Sequence, residues 1–308
     1  TYSSIKKEIS RRSHSMRAVE EGLKTFTIGL GLKVLLANRL GGLWNEAGTV
    51  GYESISTPFA WLAITAFSLQ IYFDFYGYSL MAKGLGRIMG FTIPENFHDP
   101  YLSLSMTEFW RRWHMTLGSW FRDYVYIPLG GSRKGKLMTF RNMLAVWALT
   151  GFWHGASWNF ILWGLFFGVL IALERLGLRN LLEKLPGFIS HFYLLFAVLI
   201  SWVIFYFTDL SRAAQYLGIM FGLSGQPLTN SQTLLALEGN LFWLILAVVF
   251  CLPLARIASQ QITAAAAVSR PRQIILGILV PVMNLGILLI CTAMLSGQSY
   301  NPFLYYRF

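Results

Sequence analysis

Two histidines stand where imidazole chemistry could be done. His154 lies in Thr150-Gly151-Phe152-Trp153-His154-Gly155-Ala156-Ser157-Trp158-Asn159-Phe160, near the middle of a run, Asn142–Leu173, that holds no Asp, Glu, Lys or Arg. As one helix those 32 residues would extend about 48 Å, more than the ~30 Å hydrocarbon core of a bilayer. A titratable group at that depth is costly unless it faces a bundle interior or a water-filled cavity, so a functional role outweighs that of a packing histidine. His114 closes the motif Glu108-Phe109-Trp110-Arg111-Arg112-Trp113-His114. On helical spacing Trp110 and Arg111 precede it by four and three residues, so one face would present an indole, a guanidinium and an imidazole together.

An imidazole titrates near neutrality, and a buried neutral one beside an indole can act as general base toward a hydroxyl. The two histidines could converge on one cavity. A metal is not expected, because no third His, Cys or carboxylate stands at ligand spacing. A pairing of Ser157 with His154 is open on helical spacing, without a nucleophile elbow around it. Arg111, Arg112 and Arg122 could instead hold phosphates of a nucleotide-like donor. His14 and His191 read as solvated, and His98 as a residue of the Pro94–Pro100 turn. The basic turn Gly130–Lys136 lacks the spacing of a phosphate-binding P-loop.

Elements that could position these groups must be membrane helices. The 308 residues are 55% hydrophobic and only 13% charged, against about 25% charged in soluble domains. The net charge of +11 belongs to cytoplasmic loops and anionic headgroups, and nucleic acid is not an expected partner. Cys251 and Cys291 sit in apolar runs and carry no redox message. Residues 22–40, with Lys24, Lys33 and Arg39, read as a snorkelling span or else an interfacial helix, the span being preferred, and residues 41–57 as a Gly-rich loop. Residues 59–82 are long enough to cross, with Asp74 needing a partner that the following arginines could supply. Basic residues flank both ends of Asn142–Leu173, which favours two helices broken near Gly151–Gly155 with His154 at the break over a single long tilted helix. Residues 192–208, 241–254 and 273–295 are further apolar runs, 209–236 a loop with some amphipathic helix, and Tyr300–Phe308 an aromatic interfacial end.

The motifs Gln70-Ile71-Tyr72-Phe73-Asp74-Phe75-Tyr76-Gly77, Glu95-Asn96-Phe97, Glu108–His114, Trp120-Phe121-Arg122-Asp123-Tyr124, Tyr126–Gly131 and Trp153–Asn159, in this order, resemble the membrane-bound O-acyltransferase family. The similarity is greatest to its bacterial branch that O-acetylates alginate and peptidoglycan. The resemblance implies an all-α integral membrane protein: a polytopic helical bundle with a central cavity and re-entrant or broken helices, multi-pass in the cell membrane. It implies His154 as the signature catalytic residue and His114 as the second. Trp153, Trp158, Asn159, Trp110, Arg111, Arg112, Arg122, Asp123, Asp74 and Asn96 are expected to line the cavity or bind substrate.

The activity so implied moves an acyl group, acetyl in the first place, from a cytoplasmic thioester to hydroxyls of an extracytoplasmic polysaccharide or cell-wall polymer. No permanently bound cofactor is expected; acetyl-CoA is the expected donor substrate, and an acyl-carrier protein is the other. An extracytoplasmic acetyltransferase partner or a polymer synthase complex would accompany it in the lipid bilayer. D-alanyl transfer to teichoic acid is the near alternative, and a proton-coupled transporter or a noncatalytic membrane scaffold the alternative of another class. Residues 1–308 read as one transmembrane acyltransferase domain that starts internally and lacks the N-terminal membrane helices of its kin.

Overall fold

A computed structural model of the chain describes residues 2–12, 14–297 and 303–304. The described residues contain helices and no strand. Helix α1 (Tyr2–Ser10) precedes α2 (Met16–Val50), α3 (Thr57–Ile88), α4 (Met106–Arg112), α5 (Met115–Phe121), α6 (Lys136–His154) and α7 (Trp158–Leu173). Then follow α8 (Gly187–Tyr206), α9 (Leu210–Met220), α10 (Ser231–Cys251), α11 (Leu254–Ala267) and α12 (Arg270–Ser296). Among the described residues, five stretches are long and apolar enough to cross a membrane: Met16–Val50, Trp158–Leu182, Gly187–Tyr206, Ser231–Cys251 and Arg270–Ser296. The protein is therefore a multi-pass helical membrane protein.

The chain clusters into two compact units, one drawn from Thr1–Gly41, Leu69–Glu95 and Phe242–Arg307, the other from Gly42–Ser68 and Asn96–Leu241. In the first unit α2 passes through a π-helical stretch, Leu32–Ala37, that carries Lys33. Lys33 does not snorkel. It is buried in an ion pair with Asp74 of α3, which corrects the expectation of an arginine partner. The Asp74 carboxylate also accepts the Leu304 amide at 2.7 Å, and the Lys33 ammonium lies 5.2 Å from the Phe303 ring centre. Apart from Phe303 and Leu304, the expected aromatic tail lies outside the described residues.

Several boundaries differ from expectation for physical reasons. Residues 41–50 continue α2 instead of looping, because Leu43, Trp44 and Ala47 recur at helical spacing and are all buried, which outweighs the helix cost of neighbouring glycines. Helix α3 has the length to cross but is not among the five apolar stretches, since Ser68, Gln70 and Asp74 interrupt it; Ser68 and Asp74 are turned inward and buried. In residues 209–236, helix α9 is followed by a loop, and α10 already starts at Ser231.

The uncharged run does break where the basic flanks required. Helix α6 ends at His154, Gly155 is extended, and α7 begins at Trp158. The two helices pack as an antiparallel hairpin at backbone contact. A Cβ on Gly151 would strike the Phe160 carbonyl, and one on Gly164 the Trp147 carbonyl, so only glycine permits this approach.

Candidate functional site

All the groups that follow belong to the second unit, Asp74 excepted. Helix α4 starts at an N-cap serine: the Ser105 hydroxyl accepts the Glu108 amide at 3.1 Å, and the Glu108 carboxylate accepts the Leu104 amide just before it at 2.9 Å. It ends at Arg112. Trp113 is extended, with its ring stacked 5.5 Å from Phe109 and edge-on to Phe97 at 5.0 Å. The expected single face of Trp110, Arg111 and His114 is therefore not formed, because the helix stops before His114.

His114 occupies the left-handed region (φ 47°, ψ 49°) and starts α5. A bulky side chain there costs on the order of 1–3 kcal/mol and persists only where the surroundings over-determine it. Asn96 supplies that constraint. Its backbone carbonyl accepts the Met115 amide at 3.0 Å, and its side-chain oxygen accepts the Thr116 amide at 3.2 Å and the Thr116 hydroxyl at 2.8 Å. A backbone N–H can only donate, so the Asn96 atom facing Thr116 is the oxygen. The same oxygen lies 3.2 Å from Nδ1 of His114, which must then carry the proton. A neutral His114 so held keeps its lone pair on Nε2.

His154 closes α6, half-buried. Its ring meets Trp163 edge-on at 4.9 Å and Phe205 at 5.4 Å. Trp153 stands 5.0 Å from His154 and 6.0 Å from His114, so one indole touches both imidazoles. The two histidines are thus brought to contact with one indole, Trp153. Trp110 packs on Trp147, Trp163 and Phe167 behind this pair. Among the described residues, the buried indole N–H groups of Trp110, Trp163 and Trp202 have no acceptor.

The other expected residues divide. Asn159 is fully buried and ties α7 to α8, donating to the carbonyls of Ile204 at 3.3 Å and Phe205 at 3.0 Å. Trp158, beside it, is 72% exposed. Arg112 pairs with Glu108 at 2.7 Å, and Arg122 with Asp123 at 2.8 Å, an exposed pair in which the guanidinium holds the Asp123 carboxyl below its ordinary value. Arg111 lines a separate cleft of about 580 Å³ with Thr107, Glu108, Arg179, Glu183 and Ser190. Asp74 belongs to the other unit. His191 is not merely solvated: its Nδ1 donates to the Ser103 carbonyl at 3.3 Å. No cluster of three or more metal-ligating side chains occurs among the described residues.

Two residues that hold this geometry do not stand out in the sequence. Asn142, fully buried, donates to the carbonyls of Leu129 and Gly131, both at 3.0 Å, and fixes the basic turn to α6. Glu174, 2% exposed, accepts hydrogen bonds from the start of α4. Its one sequence signal is its place as the first charge after the 32-residue uncharged run.

Comparison with known proteins adds to this geometry. A sequence profile described as MBOAT, membrane-bound O-acyltransferase family, matches residues 10–214. A "Probable alginate O-acetylase AlgI" of Pseudomonas putida is 35% identical over 314 residues, covering 98% of this chain and 64% of the relative. A "Peptidoglycan O-acetyltransferase" of Helicobacter pylori is 37% identical over 217 residues, 70% of this chain and 41% of the relative. A "Teichoic acid D-alanyltransferase" of Streptococcus thermophilus is 29% identical over 188 residues, 56% of this chain and 44% of the relative. The chain thus spans less than two thirds of the length of these relatives.

Proposed function

Because this chain belongs to the membrane-bound O-acyltransferase family, we propose that it is the membrane core of an O-acyltransferase that passes an acyl group, acetyl first, from a cytoplasmic thioester to hydroxyls of an extracytoplasmic polysaccharide. The observation that carries the reading is the indole of Trp153 between two imidazoles, within the segment the family profile matches. Acetyl is preferred to D-alanyl because the polysaccharide and peptidoglycan O-acetylating relatives are the more similar ones. Both compact units serve one acyltransferase domain in the cytoplasmic membrane, with acetyl-CoA or an acylated carrier as donor and a further protein delivering the polymer.

In the proposed reaction His154 takes the proton of the acceptor hydroxyl as its oxygen attacks the thioester carbonyl. The C–S bond breaks, the ester C–O bond forms, and the proton passes to the leaving thiolate. His114 would orient the acyl group or stabilise charge on its carbonyl oxygen. The Asn96 bond favours a related but distinct role, in which Nε2 accepts a proton first and only the resulting imidazolium can donate to the oxyanion. The buried indole N–H of Trp163, edge-on to His154, is a donor that needs no prior protonation. In this reading Arg111, Arg112 and Arg122 would engage phosphates of the donor, Arg112 and Arg122 by exchanging the carboxylates they now pair with.

The test is acetylation of surface polysaccharide in cells whose own copy is replaced by His154→Ala at equal expression. Losing a general base removes about 10²–10⁴ in rate, so ester acetate on the polymer should fall to background. Normal acetylation would overturn the role of His154, and proton-coupled solute flux without acyl transfer would favour a transporter.

A further inference from the structure

Resting on that reading of the two histidines, we propose that Glu174 is a positioning residue that sets the segment carrying His114 against the helical hairpin carrying His154. The Glu174 side chain is 2% exposed, and a carboxylate so placed is costly unless its oxygens are fully engaged. Oε1 accepts the Met106 amide at 2.6 Å and the Tyr193 hydroxyl at 3.3 Å. Oε2 accepts the Thr107 amide at 2.9 Å and the Thr107 hydroxyl at 2.5 Å. All four partners are neutral donors.

Three helices meet at this one carboxylate. Glu174 directly follows α7, Met106 and Thr107 open α4, and Tyr193 lies on α8. Ser105 accepts the Glu108 amide, and Glu174 accepts the two helical amides before it, so a carboxylate from another element caps the start of α4. What Glu174 adds is a fixed relation between α4 and α7. His114 stands two residues beyond the end of α4, and His154 four residues before the start of α7. Asn159 ties the opposite end of α7 to α8, so the 16-residue helix is held at both ends. With α7 clamped, the left-handed turn at His114 is carried by α4 to its place beside Trp153.

The experiment uses membranes of cells whose own copy is replaced by each form, with labelled acetyl-CoA and the cells' surface polysaccharide, comparing Glu174→Gln with wild type alone and in a His114→Asn background. Glutamine offers one carbonyl oxygen where two are needed and turns an NH2 toward a donor. The expected result is a kcat lowered by about 10–100-fold with donor KM changed less than about twofold, and no further loss once His114 is gone. Amide exchange at residues 113–116 should quicken in Glu174→Gln while thermal unfolding remains cooperative. Unchanged kcat in folded Glu174→Gln, or the same fractional loss in both backgrounds, overturns the proposal. If wild type transfers no acyl group, the functional reading itself fails. Amide exchange at 113–116 then decides the positioning alone: faster supports it, unchanged overturns it.

Discussion

At His114 the backbone and the ring are governed by one neighbour. Asn96 holds the left-handed turn through the amides of Met115 and Thr116 and fixes the imidazole tautomer through Nδ1. Asparagine tolerates the left-handed region, so His114→Asn should keep the fold, with thermal unfolding within a few degrees of wild type, while acyl transfer falls by at least about 10²-fold. His114→Val should do worse, because a branched side chain adds backbone strain, and a loss of expressed protein checks it. Asn96→Leu removes the acceptor and leaves Nδ1 uncommitted; activity should fall by about 10–100-fold, whereas Asn96→Asp keeps an oxygen toward all three donors and should retain most of it. Both histidines could be singled out from their setting, since titratable groups in apolar or aromatic runs stand out, and the structure brings them to one indole. The Asn96 bond could not, because it joins residues 18 apart through a backbone conformation that spacing alone does not predict.

At the scale of the element, the α6–α7 hairpin places His154 at its tip, and the hairpin depends on glycine. Gly151→Leu would force side-chain atoms into the Phe160 carbonyl, separate the helices and cost at least about 1–3 kcal/mol, read as a lowered thermal midpoint together with lost activity. The helix break was legible because charge placement demanded that both ends of the run lie on one side. The end of α4 before His114 was not, because Trp110, Arg111 and His114 satisfy helical spacing, and that spacing is overruled by the Asn96 contacts and by the His98 amide donating to the Arg112 carbonyl at 2.9 Å. The Lys33–Asp74 pair makes a second prediction. Asp74→Asn leaves a buried ammonium without its counter-charge and should destabilise by about 3–5 kcal/mol, while joint replacement by Lys33→Met and Asp74→Leu should cost much less. The partner of Asp74 could not be read from local sequence, because it lies 41 residues earlier on another helix.

For the whole molecule, composition was enough to decide that the chain lives in a bilayer, and the five apolar stretches agree. It was less able to decide which helices cross unaided. Helix α3 reads as a span by length but buries Ser68 and Asp74, so its insertion depends on helices that pack against it within its units. The division into two compact units had no marker in the sequence, since both α2 and α3 run from one unit into the other without a linker. The most direct measurement is transfer of labelled acetyl from acetyl-CoA to surface polysaccharide in membranes of cells whose own copy is replaced by each form of the protein. Wild type should form alkali-labile polysaccharide ester, and His154→Ala and His114→Asn should each reduce its rate at least about 10²-fold while remaining folded. Ester formation at the wild-type rate by either variant would contradict the account.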